Sequence, residues 1–379
     1  MDRAVGWKPS ANDRRSHPDL PADACVWGRL IANAVELWTK MRIVFDLVCL
    51  VLAGGAFLPA AGPPEVTISN GPLRAVLYVP DARTGYYRGT RFDWSGAFAS
   101  LTFEGHRYFG PWYDRTDPAV HDFEYRGAEI VAGPCSATSG PVEEFSSGAT
   151  TLGFDEATPG GTFVKIGVGA LRRPDDKPYD HYRLYEIADS GNWKVRKGRG
   201  WVEFTQHIGD AAGYGYTYRK TVRLLPGKPE MVLEHSLHNT GRRRIEAAAY
   251  DHNFLSLDRL PPGPGFTIAV PFQIRAAQPP QQNLAGIRGN RIVYLKNLEG
   301  RDRVQLAIEG FNSSPSDYDV RLEDTRAGAG MRVTADRPLS LLHLWSIRSV
   351  VSMEPFIAID LAPGQEMTWN FHYTFYTVR

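Results

Sequence analysis

Glu354 stands between Met353 and Pro355, with Ser352 and Phe356 beyond them. Pro355 supplies no backbone donor and biases the residue before it toward an extended backbone. A carboxylate among apolar neighbours has its proton affinity raised, which suits a general base working near neutral pH. The alternative is an edge-strand Glu facing solvent. His252 lies in Tyr250-Asp251-His252-Asn253-Phe254. If this stretch is a strand, His252 and Phe254 share one face, and Asp251 and Asn253 share the other. A one-residue slip exchanges His252 for Asp251 on the functional face, and a core histidine bonded to a neighbouring strand is the other alternative.

Three further groups hold polar side chains in binding-type settings. The first is the segment Tyr86 to Gly96, which contains Arg88, Arg91 and Trp94. Guanidinium forks beside Tyr and Trp faces suit a sugar: donors for hydroxyls and a flat wall for C–H faces. An Arg–Asp pair with Asp93 that stabilises a loop is the competing reading. The second is Glu143-Glu144, a carboxylate pair able to bind hydroxyls or divide acid and base roles. Adjacent strand residues point to opposite faces, so at most one of the two enters a site. A solvated acidic turn is the alternative. The third is His181, between Asp180 and Tyr182-Arg183, on a loop that a rigid scaffold would hold over a cleft. His207, His235, His238, His343 and His372 follow strand alternation and read as structural.

The elements that would position these residues are strands. From Glu65 onward, short alternating or apolar segments such as Tyr214–Leu225, Met231–Leu237, Ile245–Leu257 and Met367–Tyr376 are separated by turn residues. Pro226-Gly227-Lys228-Pro229, Asn239-Thr240-Gly241, Gly289-Asn290 and Pro363-Gly364 supply the turns. No helical stripe of convincing length occurs in this region, and no repeat of fixed period is visible. The expectation is an all-β fold, one large antiparallel sandwich spanning residues 63–379.

Ahead of that region, residues 1–40 are polar and lack periodicity. Met41-Arg42, the apolar run Ile43 to Leu58 and the small residues Ala60-Ala61-Gly62 then follow the pattern of a secretory leader. Residues 41–61 are therefore expected to be a signal peptide cut near 60–62. Residues 1–40 read as an extension upstream of the true start, or as a disordered segment. A membrane anchor is the rival, but the run is short of the roughly 20 residues a span needs and contains Asp46. A periplasmic or secreted protein, off the membrane after cleavage, is the expectation.

Charge decides little, and neutral polar partners fit as well as any. The chain has 43 Lys/Arg and 42 Asp/Glu; the first 61 residues hold seven and six of these, leaving 36 of each beyond them. No basic stripe suggests nucleic acid. Cys25 and Cys49 precede residue 62, so only Cys135 remains beyond it, and no intrachain disulfide is expected there. No His/Glu spacing of a helix-borne zinc site, no G-x-S-x-G and no phosphate-binding loop is present. No metal site is expected.

The same residues resemble the galactose mutarotase-like (aldose 1-epimerase-like) superfamily. Glu354-Pro355, the turn Pro363-Gly364-Gln365-Glu366 and the closing strand with Tyr373-Thr374-Phe375 are similar to the end of such a domain. Tyr218 to Leu224, then Met231 to Gly241, look like its central strands. Tyr250 to Leu255 is similar to the strand "H-x-Y-F-N", and Gly89-Thr90-Arg91 to an early "G-x-R" segment. The resemblance implies a β-supersandwich and a cofactor-free interconversion of sugar anomers. Glu354 would act as base and His252 as acid, while Arg91, with Arg88 or His181, holds hydroxyls of a sugar or oligosaccharide. The sequence departs from the family in having Asn253-Phe254-Leu255-Ser256 after His252 and no early His-Gly segment. A non-catalytic carbohydrate-binding protein, or a lyase-like polysaccharide-processing protein on the same scaffold, is the alternative.

Overall fold

The computed structural model of the protein describes residues 62–378 apart from residue 282, and the extension 1–40 and leader 41–61 expected from the sequence lie outside them. Strand alternation dominates. In Tyr214–Leu224, for example, Tyr216, Tyr218, Lys220, Val222 and Leu224 all turn inward and are buried. Ten strands pair into one antiparallel sheet, in the order Asn192–Gly198, Trp201–Ala211, Tyr214–Leu224, Glu230–Asn239, Glu366–Thr377, Ala329–Ala335, Asp319–Asp324, Phe266–Ala269, Arg291–Tyr294, Ala285–Arg288. A second antiparallel sheet has five strands, in the order Arg303–Ala307, Leu341–Ile347, Val350–Leu361, Ile245–His252, Val142–Ser146. The inner faces of both sheets share one apolar core that includes Leu233, Phe371, Leu344, Met353 and Ile357. Among the described residues the only helical pieces are the single-turn segments Leu257–Arg259 and Pro315–Asp317. The all-β antiparallel sandwich expected from the sequence is therefore the fold observed.

Two local differences from the sequence expectation matter for the site. The strand expected over Ile245–Leu257 stops at His252. Phe254 has a φ of +33°, a conformation no strand accommodates and one that costs an L-residue energy. The chain bends there and rejoins the sheet only through a bridge between Leu255 and Val351. The second difference is Val142–Ser146. Its two carboxylates are not solvated, because the segment is the outer strand of the five-stranded sheet and both side chains are buried.

The five-stranded sheet sorts the candidate residues by parity. Tyr250 pairs with Glu144 on one side and Phe356 on the other. Two residues on, the same register sets His252 beside Glu354, and Glu354 is opposite His343. Trp345 is opposite both Ser352 and Gln305. All of these belong to one face of the sheet. Glu143 and Asp251, paired with each other, belong to the other face and point into the sandwich. There Glu143 is bonded by Lys220 and, through Oε1, lies 2.7 Å from His235 Nε2. Tyr373 donates to Asp251, and Tyr218 donates to Asp93 at 3.1 Å. This is an ionic and hydrogen-bonded core layer, closed to water.

Candidate active site

The outward face of the five-stranded sheet forms the floor of a cleft of about 360 Å3, walled by loops that carry Arg91, Trp112, Asp122, Tyr179, His181 and Tyr182. At its base His252 Nε2 lies 3.2 Å from Glu354 Oε1. The other imidazole nitrogen, Nδ1, lies 2.7 Å from Ser352 Oγ. A serine hydroxyl can either donate to Nδ1 or accept from it, so it supports either tautomer of the ring. Above the ring, Phe254 stacks on His252 with centroids 3.6 Å apart, and Trp112 stacks on the far side of Phe254 at 5.6 Å. The positive φ of Phe254 thus serves to lay its ring against the imidazole.

Burial sets the proton affinities of the pair. Glu354 is pushed up to about 7, chiefly by desolvation, with Arg91 opposing and Glu144 adding to the rise. His252 is held well below its ordinary value by desolvation and then by Arg91. Both shifts favour the uncharged forms, which is what a water-poor site does to an acid and a base alike. Below about pH 7 the pair holds one mobile proton, which rests on the carboxyl and reaches the imidazole only in the minor, ion-paired form.

A second cluster lies along the same strand. Arg91 Nε donates to Glu144 Oε2 at 2.7 Å, and Arg91 Nη2 donates to the Tyr250 hydroxyl at 2.9 Å. Tyr250 in turn donates to Glu144, and Lys165 Nζ donates to its other oxygen at 3.0 Å. His181 Nδ1 is 3.6 Å from the same oxygen. The two cations and these hydroxyl and ring donors hold Glu144 far below the usual carboxylate range despite its burial. The Arg91 guanidinium also lies over the rings of Phe92 and Tyr182, at 4.4 and 4.8 Å.

No family model and no curated protein sequence matches the chain. Among solved structures, the chain is similar to a galactose mutarotase-like protein from Lactobacillus casei ATCC 334, with 15% identity, 83% of this chain and 100% of that chain covered, and a TM-score of 0.45. It is also similar to an aldose epimerase homologue from C. elegans, with 14% identity, 83% and 99% coverage, and a TM-score of 0.47. A galactose mutarotase related enzyme from Lactobacillus acidophilus gives 13% identity, 83% and 98% coverage, and a TM-score of 0.47. Likeness at this level carries no argument about chemistry, which rests on the side chains.

Of the residues singled out in the sequence, the structure brings Glu354, His252, Arg91, Glu144 and His181 together around one cleft. It sets the other three apart from it. Glu143 points into the sandwich because it alternates with Glu144. Arg88 is exposed and donates to the Arg83 carbonyl at 2.9 Å, on the far side of the Gly89-Thr90 backbone from the cleft. Trp94 is buried, donates to the Gly89 carbonyl at 2.8 Å and stacks on Trp193. Asp93 is not the partner of Arg91; it accepts from Ser95 and Tyr218 inside the core.

Several cleft residues escaped sequence reasoning. Tyr250 and Phe356 each lie two positions from a candidate and share its face by alternation, so that signal was present. His343, read as structural, lines the cleft opposite Glu354. It and Trp345 are placed by strand pairing between distant segments, for which the sequence has no local mark. Lys165, sealed behind the cleft where it bonds Glu144, ends a short strand and carries no motif.

Proposed function

We propose that this protein is a cofactor-free, sugar-binding acid–base enzyme of the aldose 1-epimerase type, exported from the cell, that interconverts the anomers of a pyranose. The observation that carries the reading is the His252–Glu354 pair at 3.2 Å on the floor of an aromatic-walled cleft. The chemistry needs a base for the anomeric hydroxyl and an acid for the ring oxygen, close together and sheltered from water. In the carboxylate–imidazolium form, Glu354 takes the O1 proton while His252 Nε2–H gives its proton to O5. The C1–O5 bond breaks as the C1=O bond forms. The pair is left as carboxylic acid and neutral imidazole, with the number of protons unchanged. Rotation about C1–C2 exposes the other carbonyl face. On closure the O5 proton returns to Nε2, and Glu354 returns its proton to O1.

Each other part of the cleft has a role in this reading. Ser352 accepts from the Nδ1–H that the ring keeps through the whole cycle, and Phe254 keeps the ring in plane. Trp112, Trp345 and Phe356 supply flat faces for sugar C–H groups. Arg91 and His181 hold ring hydroxyls.

One observation favours a second reading, binding without turnover. In the ligand-free site the acid and the base contact each other, and a sugar must come between them for both to act. Two-dimensional NMR exchange between anomers of a panel of aldoses, run beside calorimetry with the same sugars, separates the two. Exchange above the spontaneous rate supports the enzyme. Heat of binding without exchange supports the binding protein.

A further inference from the structure

Glu354 has a histidine on each side. The register that sets His252 beside it on one neighbouring strand sets His343 opposite it on the other. His252, Glu354 and His343 thus form a row across three strands, on the face that floors the cleft. The two histidines are not equivalent. His252 is buried, touches Glu354 at 3.2 Å, and has its second nitrogen taken by Ser352. His343 is half-buried and lines the cleft. Phe356 meets its ring edge-on at 5.4 Å, and among the described residues it pairs with no carboxylate and bonds no side chain. Partial burial lowers its proton affinity. At neutral pH the ring is therefore uncharged, with one nitrogen to donate and one to accept. No step of the anomer exchange uses it.

The bonding around an anomeric carbon supplies a matching row. C1 carries O1 and has two ring neighbours: O5 on one side and C2, with its hydroxyl, on the other. When O1 lies over Glu354 and O5 meets His252, C2 is turned toward the strand that carries His343. The dimensions agree. Two strand intervals set the outer members of the row roughly 10 Å apart, and side chains that stand off the sheet keep a comparable spacing. From O5 to O2, with a hydrogen bond at each end, the span is roughly 9 Å.

We infer that His343 reads the C2 hydroxyl of the sugar, so that the cleft takes an aldose with a free hydroxyl at C2 and discriminates against its 2-deoxy analogue. This rests on the anomer-exchange reading of the pair and adds a specificity residue and the substrate feature it recognises. The contact also has a use in the cycle. Ring opening leaves C1 as a carbonyl that must turn about the C1–C2 bond. With O2 held by His343, the rest of the sugar stays in place while C1 turns, and O5 stays within reach of His252 for closure.

The test uses the whole chain and follows anomer exchange by NMR for galactose and glucose, each beside its 2-deoxy analogue, in the wild type and in His343→Ala. The readout is the preference, kcat/KM of the parent sugar over that of the 2-deoxy sugar. Comparing this preference between wild type and variant cancels the different intrinsic reactivities of the sugars. It is expected to be about fivefold larger in the wild type, the ordinary weight of one neutral hydrogen bond. The 2-deoxy rates should differ by less than about twofold between the two proteins, since neither makes the contact with them. His343→Phe, which fills the space without a polar atom, should behave in the same way and decides the matter if the alanine variant fails to fold. A preference unchanged in the variants, which is what a merely structural histidine would give, overturns the inference. If no sugar exchanges, the anomer-exchange reading fails by itself, and calorimetry with the same sugars then decides. Weaker binding of the 2-deoxy sugars by the wild type, with parent and 2-deoxy sugars bound equally by the variants, upholds the C2 contact. Equal binding throughout, or no binding, overturns it.

Discussion

His252 Nε2 and Glu354 Oε1 meet at 3.2 Å because strand register sets them side by side, and both keep one outlet toward the cleft. Ser352, two residues before Glu354 on the same strand, holds the opposite nitrogen of the ring. Three side chains on two neighbouring strands therefore fix where one proton can go.

That proton gives the activity its pH dependence. The pair must carry one mobile proton, and Glu354 releases it around pH 7. Above that pH a carboxylate faces a neutral imidazole, and nothing is left to protonate the ring oxygen. Enzyme-dependent exchange is expected to fall as pH rises through about 7, with the midpoint belonging to the pair rather than to either residue. A kcat/KM profile measured from pH 5 to 9 checks this; a rate that climbs steadily to pH 9 contradicts it.

Stability should follow the same sign. The Glu354 carboxyl has its folded proton affinity raised from 4.5 to about 7, so the native state binds more protons than the unfolded chain between those values. Asp93 behaves alike, raised to about 7 mainly by burial, with Lys220 opposing. Both groups make the fold less stable as pH climbs from about 4 to 7, with no further change above. Glu143 works the other way at low pH. Burial disfavours its charge, but Lys220 and His235 outweigh this and lower it to about 2, so its contribution is lost only as pH falls below about 4. Thermal melts should therefore show the highest Tm near pH 4 and a lower one at pH 8.

Glu354→Gln should separate function from stability. The amide keeps the shape and removes the buried charge. At pH 8 the variant is expected to melt higher than the wild type, by up to about 3 kcal/mol in unfolding free energy, and the difference should vanish near pH 4.5. Chemical denaturation at the two pH values measures it.

Ser352→Ala should lower exchange about tenfold while leaving KM nearly unchanged, because the alanine removes the group that orients the imidazole but no group that touches sugar. A large KM change with kcat preserved would move Ser352 from positioning to binding.

The core layer should be intolerant of partial removal. Lys220→Met leaves Glu143 buried beside Asp93 and Asp251, and such an uncompensated charge costs about 3–5 kcal/mol. The double change Lys220→Met with Glu143→Gln should recover much of that loss. Denaturant midpoints of the two variants give the comparison.

The sandwich was legible in the sequence because period-2 alternation and turn residues are local signals, as in Tyr214–Leu224 and the Pro226-Gly227 turn. Glu354 and His252 were legible because a proline and a parity argument each fixed a direction. The parity argument also implied that only one of Glu143 and Glu144 could face a site, but it could not say which. That depended on pairing with Tyr250, far along the chain. Arg88 and Trp94 have the right chemistry and the wrong side of a loop, since loop residues obey no period. Tyr179, His343 and Trp345 reach the cleft through tertiary contacts alone. The end of the strand at His252 was hidden as well, because a Phe with φ of +33° contradicts every local preference of that residue.

The most direct test of the central claim is NMR exchange between sugar anomers for wild type, Glu354→Gln and His252→Asn, each shown by circular dichroism to be folded. The account predicts enzyme-dependent exchange in the wild type and a loss of roughly 10²-fold or more in each variant. Exchange in either variant equal to that of the wild type would contradict it.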